Sequence, residues 1–350
     1  MSLFKAASTI SILTLASRIT GLLRELLMAS AFGASALTDA FNVAWRIPNL
    51  FRRWFGEGAF TQAFVPLLAA TKAKEGDAAT AILISRVATV LFWTLVLTCI
   101  IGVVGAPVLV YLMASGMRQS PAGYDAAVVM TRFVFPYIGF MSMVALAAGV
   151  LNTYKRFVVP AATPVLLNVA WIAAAVWGAP WFQRIGIEPI YAICVGVMLG
   201  GVLQLGVQLI ALRRLGMFPR VAVSGAGIRD AWTDPTTRNM IRLMGPAILG
   251  TSVAQVSVLI NTQIASHLAT GSVSWFTYAD RFMEFPTAML GVALGAVLMP
   301  QLAAAKASDK PEEYSAMMDW GLRLVILLGV PCAVALLTFA LPIISTFFQR

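Results

Sequence analysis

SRITGLLRELLMASAFGASALTDAFNVAWRIPNLFRRWFGEGAFTQAFVPLLAA, Ser17 to Ala70, is apolar enough for two membrane-spanning helices, yet it carries Arg18, Arg24, Glu25, Asp39, Arg46, Arg52, Arg53 and Glu57. An ionisable side chain at the bilayer centre costs roughly 2.5–3.5 kcal/mol on insertion scales, so it faces a partner or a water-filled cavity rather than lipid. Helical geometry sorts these residues onto faces. At about 100° per residue, Ser11, Thr14, Ser17, Arg18, Gly21, Arg24 and Glu25 fall within an arc of roughly 140°. On the second helix Asp39, Asn42, Arg46, Asn49, Arg53 and Glu57 share roughly 80°. Arg52 lies about 60° outside that arc, an offset that a bend at Pro48 would correct. Each helix thus has one polar stripe and one lipid-compatible face, which implies a hydrated, cationic chamber inside a helical bundle.

The composition agrees. Charged residues make up 11% of the 350 and hydrophobic residues 59%, against about 25% charged in a soluble domain. The chain is therefore expected to be an all-α polytopic membrane protein. Its net charge of +10 sits at helix ends and in short connections, where anionic membrane lipid and the orientation rule account for it better than nucleic acid does. Cys99, Cys194 and Cys332 are far apart in apolar runs and read as core residues, not a disulfide framework. Lys5 followed by an apolar run superficially suggests a leader, but Arg18 and Arg24 interrupt it, so a retained first helix is expected.

With about 20 apolar residues per span, the chain yields about nine spans: roughly 8–32, 38–70, 80–114, 125–153, 160–179, 189–212, 240–266, 272–303 and 317–341. Lys and Arg concentrate on alternate connections: Lys72, Lys74 and Arg86; Lys155 and Arg156; Arg213, Arg214, Arg220, Arg229, Arg238 and Arg242; Lys306 and Lys310. The positive-inside rule then puts the N-terminus in the cytoplasm. The longest connection, Gly216 to Asn239, reads as an interfacial helix or a loop joining two lobes. The expected organisation is 1–215 as a six-helix lobe, 216–239 as a cytoplasmic linker and 240–350 as the first three helices of a second lobe. A parallel repeat is suggested by two similar spans. Pro48 precedes VPLLAA (Val65 to Ala70) in the second, and Pro286 precedes MPQLAA (Met299 to Ala304) in the eighth. Repeats related about the membrane normal are a known transporter plan, with the site between the halves.

Arginine suits an anionic ligand because guanidinium is permanently charged and offers phosphate a bidentate fork. Arg18, Arg24 and Arg52 are therefore candidate phosphate ligands. Internal pairing with Glu25, Asp39 and Glu57 is the competing reading. Five arginines against three carboxylates leave this stretch net positive. Ser17, Glu25, Asp39, Asn49, Arg53 and Glu57 are read as lining or gating the chamber, with Asp280 and Glu284 on the eighth span. Asp280 or Glu284 could instead pair with a cation or hold a monovalent coupling ion. Gln255, Thr262 and Ser266 form a milder stripe that helix packing explains equally well. His267, the one histidine, is expected to be solvated. The sequence has no metal cluster, nucleophile triad, P-loop or paired-carboxylate motif, so no cofactor and no catalysis are expected.

Several segments carry a resemblance. They are SRITGLLRE (Ser17 to Glu25), TDAFNVAWRIPNLFRRWFGEGAFTQAFVP (Thr38 to Pro66), LNTYKRFVVPAATPVLLN (Leu151 to Asn168), the stretch from Gly245 to Pro286 containing YADR and EFP, and MDWGLRL (Met318 to Leu324). Together they resemble the MurJ (MviN) lipid II flippases of the MOP exporter superfamily. The resemblance implies two six-helix lobes around a central cationic cavity, with this chain corresponding to roughly the first nine of fourteen helices and the second lobe truncated. It also implies transport of an undecaprenyl-pyrophosphate-linked disaccharide-pentapeptide (lipid II) across the bacterial cytoplasmic membrane. Arg18, Arg24, Arg52 and Arg281 match positions that engage the pyrophosphate, and Asp39 and Glu57 match sensitive ones. Glu25 stands where Asp is common. Other exporters of the superfamily, for polysaccharide lipids or drugs, and a non-transporting membrane scaffold are the alternatives.

Overall fold

The structure, a computed structural model, describes residues 3–52, 59–283, 298, 301–302, 305–306, 308 and 310–348. Among these the chain has helices joined by short connections and no strand, an all-α membrane protein. It divides into two compact units, Met1–Val273 and Ser274–Arg350.

In the first unit, α1 (Leu3–Phe32) ends at Gly33, whose φ of 59° only glycine adopts freely. Ser35 then caps α2 (Ala36–Arg52) by accepting the Thr38 N–H at 3.2 Å. The helix α3 (Ala59–Val104) contains the end of the expected second span and most of the third. They are separated at Gly76, where φ is 81°. A short α4 (Ala106–Ala114) and a 3₁₀ turn (Ser115–Gln119) lead to α5 (Pro121–Val134) and α6 (Tyr137–Thr153), which Pro136 separates. The expected fifth span is α7 (Val158–Ala173), a π turn (Ala174–Gly178) and α8 (Ala179–Arg184); the sixth is α9 (Tyr191–Leu215). The 216–239 connection contains a helix, α10 (Gly225–Thr233), capped by Ser224, and Asp234 caps the following α11 (Pro235–Ser266).

Among the described residues, five helical stretches are long and apolar enough to cross a membrane: Ala59–Val104, Pro121–Thr153, Val158–Arg184, Tyr191–Leu215 and Pro311–Thr338. A bent pair, Pro235–Gly250 with Gln255–Ser266, would make six.

Packing follows from where side chains are small. α1 lies on α7, α7 on α9, α6 on both α3 and α9, and α2 on α5. On α9, Gly196 and Gly200 face α7 so closely that a Cβ at either would sit 2.6 Å from Ala174 or 2.7 Å from Leu167. Four-residue spacing of small residues is what brings helices into van der Waals contact where lipid supplies no hydrophobic drive. Behind this contact Phe41, Trp45, Tyr137 and Trp171 form a continuous aromatic cluster with centroids 5.1–5.2 Å apart. α11 packs on α3 and α4. The second unit comprises most of α12 (helical over 272–283), together with α13 (Pro311–Thr338) and α14 (Ala340–Phe348), which pack on each other.

Candidate functional site

Arg24 is 8% exposed, and its neighbours explain how a guanidinium survives there. Nη2 reaches the Glu25 carboxylate at 2.6 Å, and Nη1 donates to Asn168 Oδ1 of α7 at 3.1 Å. The guanidinium carbon lies 4.4 Å from the centroid of Trp171. A desolvated cation–π contact contributes about 2 kcal/mol, comparable to much of the insertion cost of one arginine. Asn168 is itself fixed, because its Nδ2 donates to the Ser17 carbonyl and to Thr20 Oγ1, both at 3.0 Å. Part of the polar stripe of α1, Ser17, Gly21 and Arg24, therefore faces α7, whose single amide in an apolar helix is its counterpart. Two donors in this nest remain unsatisfied among the described residues: Arg24 Nε and Trp171 Nε1. A buried N–H without an acceptor is costly, and two of them beside one cation form a place where an anionic oxygen would be stabilised.

Arg52 occupies a different setting. Its Nε donates to Asn49 Oδ1 at 3.1 Å, and Asn49 Nδ2 donates to the Trp45 carbonyl at 2.9 Å. The residue lines a cavity of about 590 Å³ between α3, α6, α7 and α9, with Thr61, Gln62, Asn152, Thr163, Gln204 and Gln208 as its other polar walls. Gln204 and Gln208, one turn apart on α9, are held by Thr163: Gln204 Nε2 donates to its carbonyl at 3.1 Å and Gln208 Nε2 to its Oγ1 at 3.0 Å. Gln204 Oε1 accepts from the Tyr137 hydroxyl at 3.2 Å, whereas the buried Gln208 Oε1 has no partner among the described residues. The cavity is thus an apolar chamber with a guanidinium and several amides. It could hold a ligand carrying phosphate oxygens, hydroxyls and amides.

The stripe on α2 divides in two. Asp39, 6% exposed, accepts the backbone N–H of Gly271 at 2.6 Å, and Arg46 donates to Thr262 Oγ1. Beside them the Ser115 backbone N–H donates to Gln263 Oε1 at 2.9 Å, and Gly116 N donates to Ser266 Oγ at 3.2 Å. Gln263 Nε2 donates to Ser115 Oγ, and His267 hydrogen-bonds the same hydroxyl at 3.0 Å while staying exposed. The first half of this stripe, with Thr262 and Ser266 of α11, therefore closes one end of the first unit. Further along α2, Arg52, bonded to Asn49 of the stripe, lines the cavity.

Of the other sequence candidates, Ser17 is half-buried and Arg18 is exposed on α1. Asp280 is half-buried and Arg281 exposed on α12, in the second unit. Arg53, Glu57 and Glu284 lie outside the described residues. Sequence reading missed Asn168, Trp171, Thr163, Gln204 and Gln208 as site residues. The available signal was an isolated Asn in α7 and two Gln at i, i+4 in α9.

A family model described as "Lipid II flippase MurJ" matches residues 28–350. The chain is 51% identical over 349 residues to "Lipid II flippase MurJ" of Burkholderia cenocepacia, with 100% of this chain and 66% of that protein covered. It is 36% identical to "Probable lipid II flippase MurJ" of Haemophilus influenzae, with 97% and 67% covered. It therefore spans about two thirds of the length of these relatives. Among solved structures, "Lipid II flippase MurJ, inward closed conformation" superposes with a TM-score of 0.79 at 24% identity, covering 97% of this chain and 67% of that one, which establishes the shared fold. An arginine-bearing first helix pinned to a fifth expected span, on that fold and with that extent of sequence identity, leads to one assignment: the chain belongs to the MurJ family.

Proposed function

We propose that the chain forms the substrate-handling part of a lipid II flippase, which moves the undecaprenyl-pyrophosphate-linked peptidoglycan precursor from the inner to the outer leaflet of the bacterial cytoplasmic membrane by alternating access. Transport, not catalysis, is its work. Moving a charged sugar-peptide head through bare hydrocarbon is prohibitive, so the protein must supply a polar path. In this reading Arg24 and Arg52, with Arg18 and Arg281, engage the pyrophosphate; Ser17, Glu25, Asp39, Asn49 and Asp280, with Arg53, Glu57 and Glu284, line or gate the path; and the prenyl tail stays in lipid. Residues 1–215 form one lobe, 216–239 the cytoplasmic linker, and 240–350 begin a second lobe related to the first by a parallel repeat, with the N-terminus cytoplasmic. Lipid II and membrane lipid are the partners, and a monovalent ion is a candidate for coupling.

The observation that carries this reading is the pair of unsatisfied buried donors, Arg24 Nε and Trp171 Nε1, around a cation already neutralised on its other side. Native mass spectrometry of the purified chain with lipid II tests it. Lipid II should be retained, and Trp171→Phe, which removes one of those donors without emptying the aromatic cluster, should weaken retention several-fold. Retention unchanged by Trp171→Phe and by Arg24→Lys would refute the nest as the pyrophosphate site.

A further inference from the structure

At the basic edge of the first unit lies a second recess, separate from the cavity around Arg52. Ser85, Thr89 and Trp93 recur every four residues along one face of α3, and each captures the 216–239 connection. Ser85 Oγ accepts from Arg220 N at 3.2 Å, Thr89 Oγ1 accepts from Ala222 N at 3.0 Å, and Trp93 Nε1 donates to the Ala222 carbonyl at 3.0 Å. The connection leaves α9 through Gly216, which takes up a left-handed φ of 76°. α10 then returns across α3 and is fastened by Arg86, whose guanidinium meets Asp230 at 3.2 Å and Asp234 at 2.7 Å. Between α3, the end of α9 and α10 this leaves a groove of about 680 Å³.

Its chemistry is specific. Arg86, Arg213, Arg220 and Asp230 are the charged lining residues. Arg86 is committed to the two aspartates, whereas the exposed side chains of Arg213 and Arg220 have no partner among the described residues. Ile82 and Phe218, 54% and 49% exposed, line the same groove. Unpaired arginines beside exposed apolar side chains, at the ends of two apolar helices, match one class of molecule: a phospholipid with an anionic headgroup and acyl chains. Each Lys or Arg near a membrane surface contributes about 1 kcal/mol toward anionic lipid, and guanidinium binds phosphate oxygens in bidentate fashion.

We propose that this groove is a binding site for an anionic phospholipid of the surrounding membrane, with the headgroup phosphate held by Arg213 and Arg220 and an acyl chain lying along Ile82 and Phe218. Occupancy would fasten α10, and with it the connection into α11, to the membrane surface. The proposal is independent of what the chain transports.

The test uses the 350-residue chain in phosphatidylcholine nanodiscs doped with phosphatidylglycerol, with retained lipid counted by native mass spectrometry and unfolding temperature measured alongside. Phosphatidylglycerol should be enriched over phosphatidylcholine. The double variant Arg213→Gln/Arg220→Gln should lower its affinity by roughly fivefold per arginine removed, with the unfolding temperature in phosphatidylcholine alone unchanged. The control Arg214→Gln/Arg229→Gln, outside the groove, should change it clearly less than the double variant does. The proposal is overturned by any of three results: no enrichment, an equal loss in the control pair (a diffuse basic surface), or displacement of the lipid by excess inorganic phosphate (an ion site without an acyl contribution).

Discussion

The nest around Arg24 and the groove around Arg86, Arg213 and Arg220 apply the same guanidinium chemistry in different solvents. In the nest three contacts offset desolvation, a carboxylate at 2.6 Å, an amide at 3.1 Å and an indole face at 4.4 Å, and two buried N–H groups are left over. In the groove Arg86 is 35% exposed in its side chain and pairs with two aspartates, while Arg213 and Arg220 are exposed and have no side-chain partner among the described residues. The difference shows where electrostatics carries structure and where it is left free for a ligand. A buried charge must bring its partners with it; an exposed one can wait for them.

The sharpest way to break this comparison is Arg24→Ala. It leaves Glu25 and Asn168 facing a void, and removing one partner of a buried pair costs about 3–5 kcal/mol. The variant should melt well below the parent in detergent, and an unchanged melting temperature would mean that the nest is solvated. Asn168→Ala comes next, with an expected loss of about 1.5–3 kcal/mol, because it leaves one buried guanidinium N–H without its acceptor. Arg86→Ala should cost no more than about 1 kcal/mol, since water screens a pair of this exposure. Its visible effect should instead be faster proteolysis or hydrogen exchange in α10, which Arg86 fastens to α3.

The smallest effect concerns a titration at the same basic edge. The Tyr154 hydroxyl donates to Asp77 at 2.6 Å, and the Lys72 ammonium sits 3.5 Å from the ring centroid. Burial first, then the hydrogen bond and the charge of Asp77, push the phenol pKa up to about 12. A raised phenol pKa stabilises the fold while the group is protonated. That contribution is complete below the unfolded value of about 10 and is lost as pH rises through about 12. Phenolate absorbance from Tyr154 should therefore lag behind that of unperturbed tyrosines, and Asp77→Asn should bring it part of the way back. A normal titration would show that the hydroxyl is solvated.

Much of the architecture is legible along the chain. Ionisable residues repeating on one face of an apolar helix mark that face as facing protein or water, and the alternation of basic connections separates two sets of loops. The same periodicity does not say how the α2 stripe is used. Asp39 and Arg46 are on the expected face, yet that part of the face packs on Gly271 and Thr262. Whether a polar face meets water or a neighbouring helix depends on what stands opposite, which helical spacing does not encode.

The amino-acid sequence by itself determined that this is a helical membrane protein with arginines where lipid would reject them, because burial and charge act locally through composition and the 3.6-residue repeat. Only the tertiary structure decided which arginine is held and which is open. Asn168, 144 residues from Arg24, and Asp234, 148 residues from Arg86, meet their partners through the packing of whole helices. Such pairings depend on small residues, caps and turns across the first unit, and no single stretch of chain contains them.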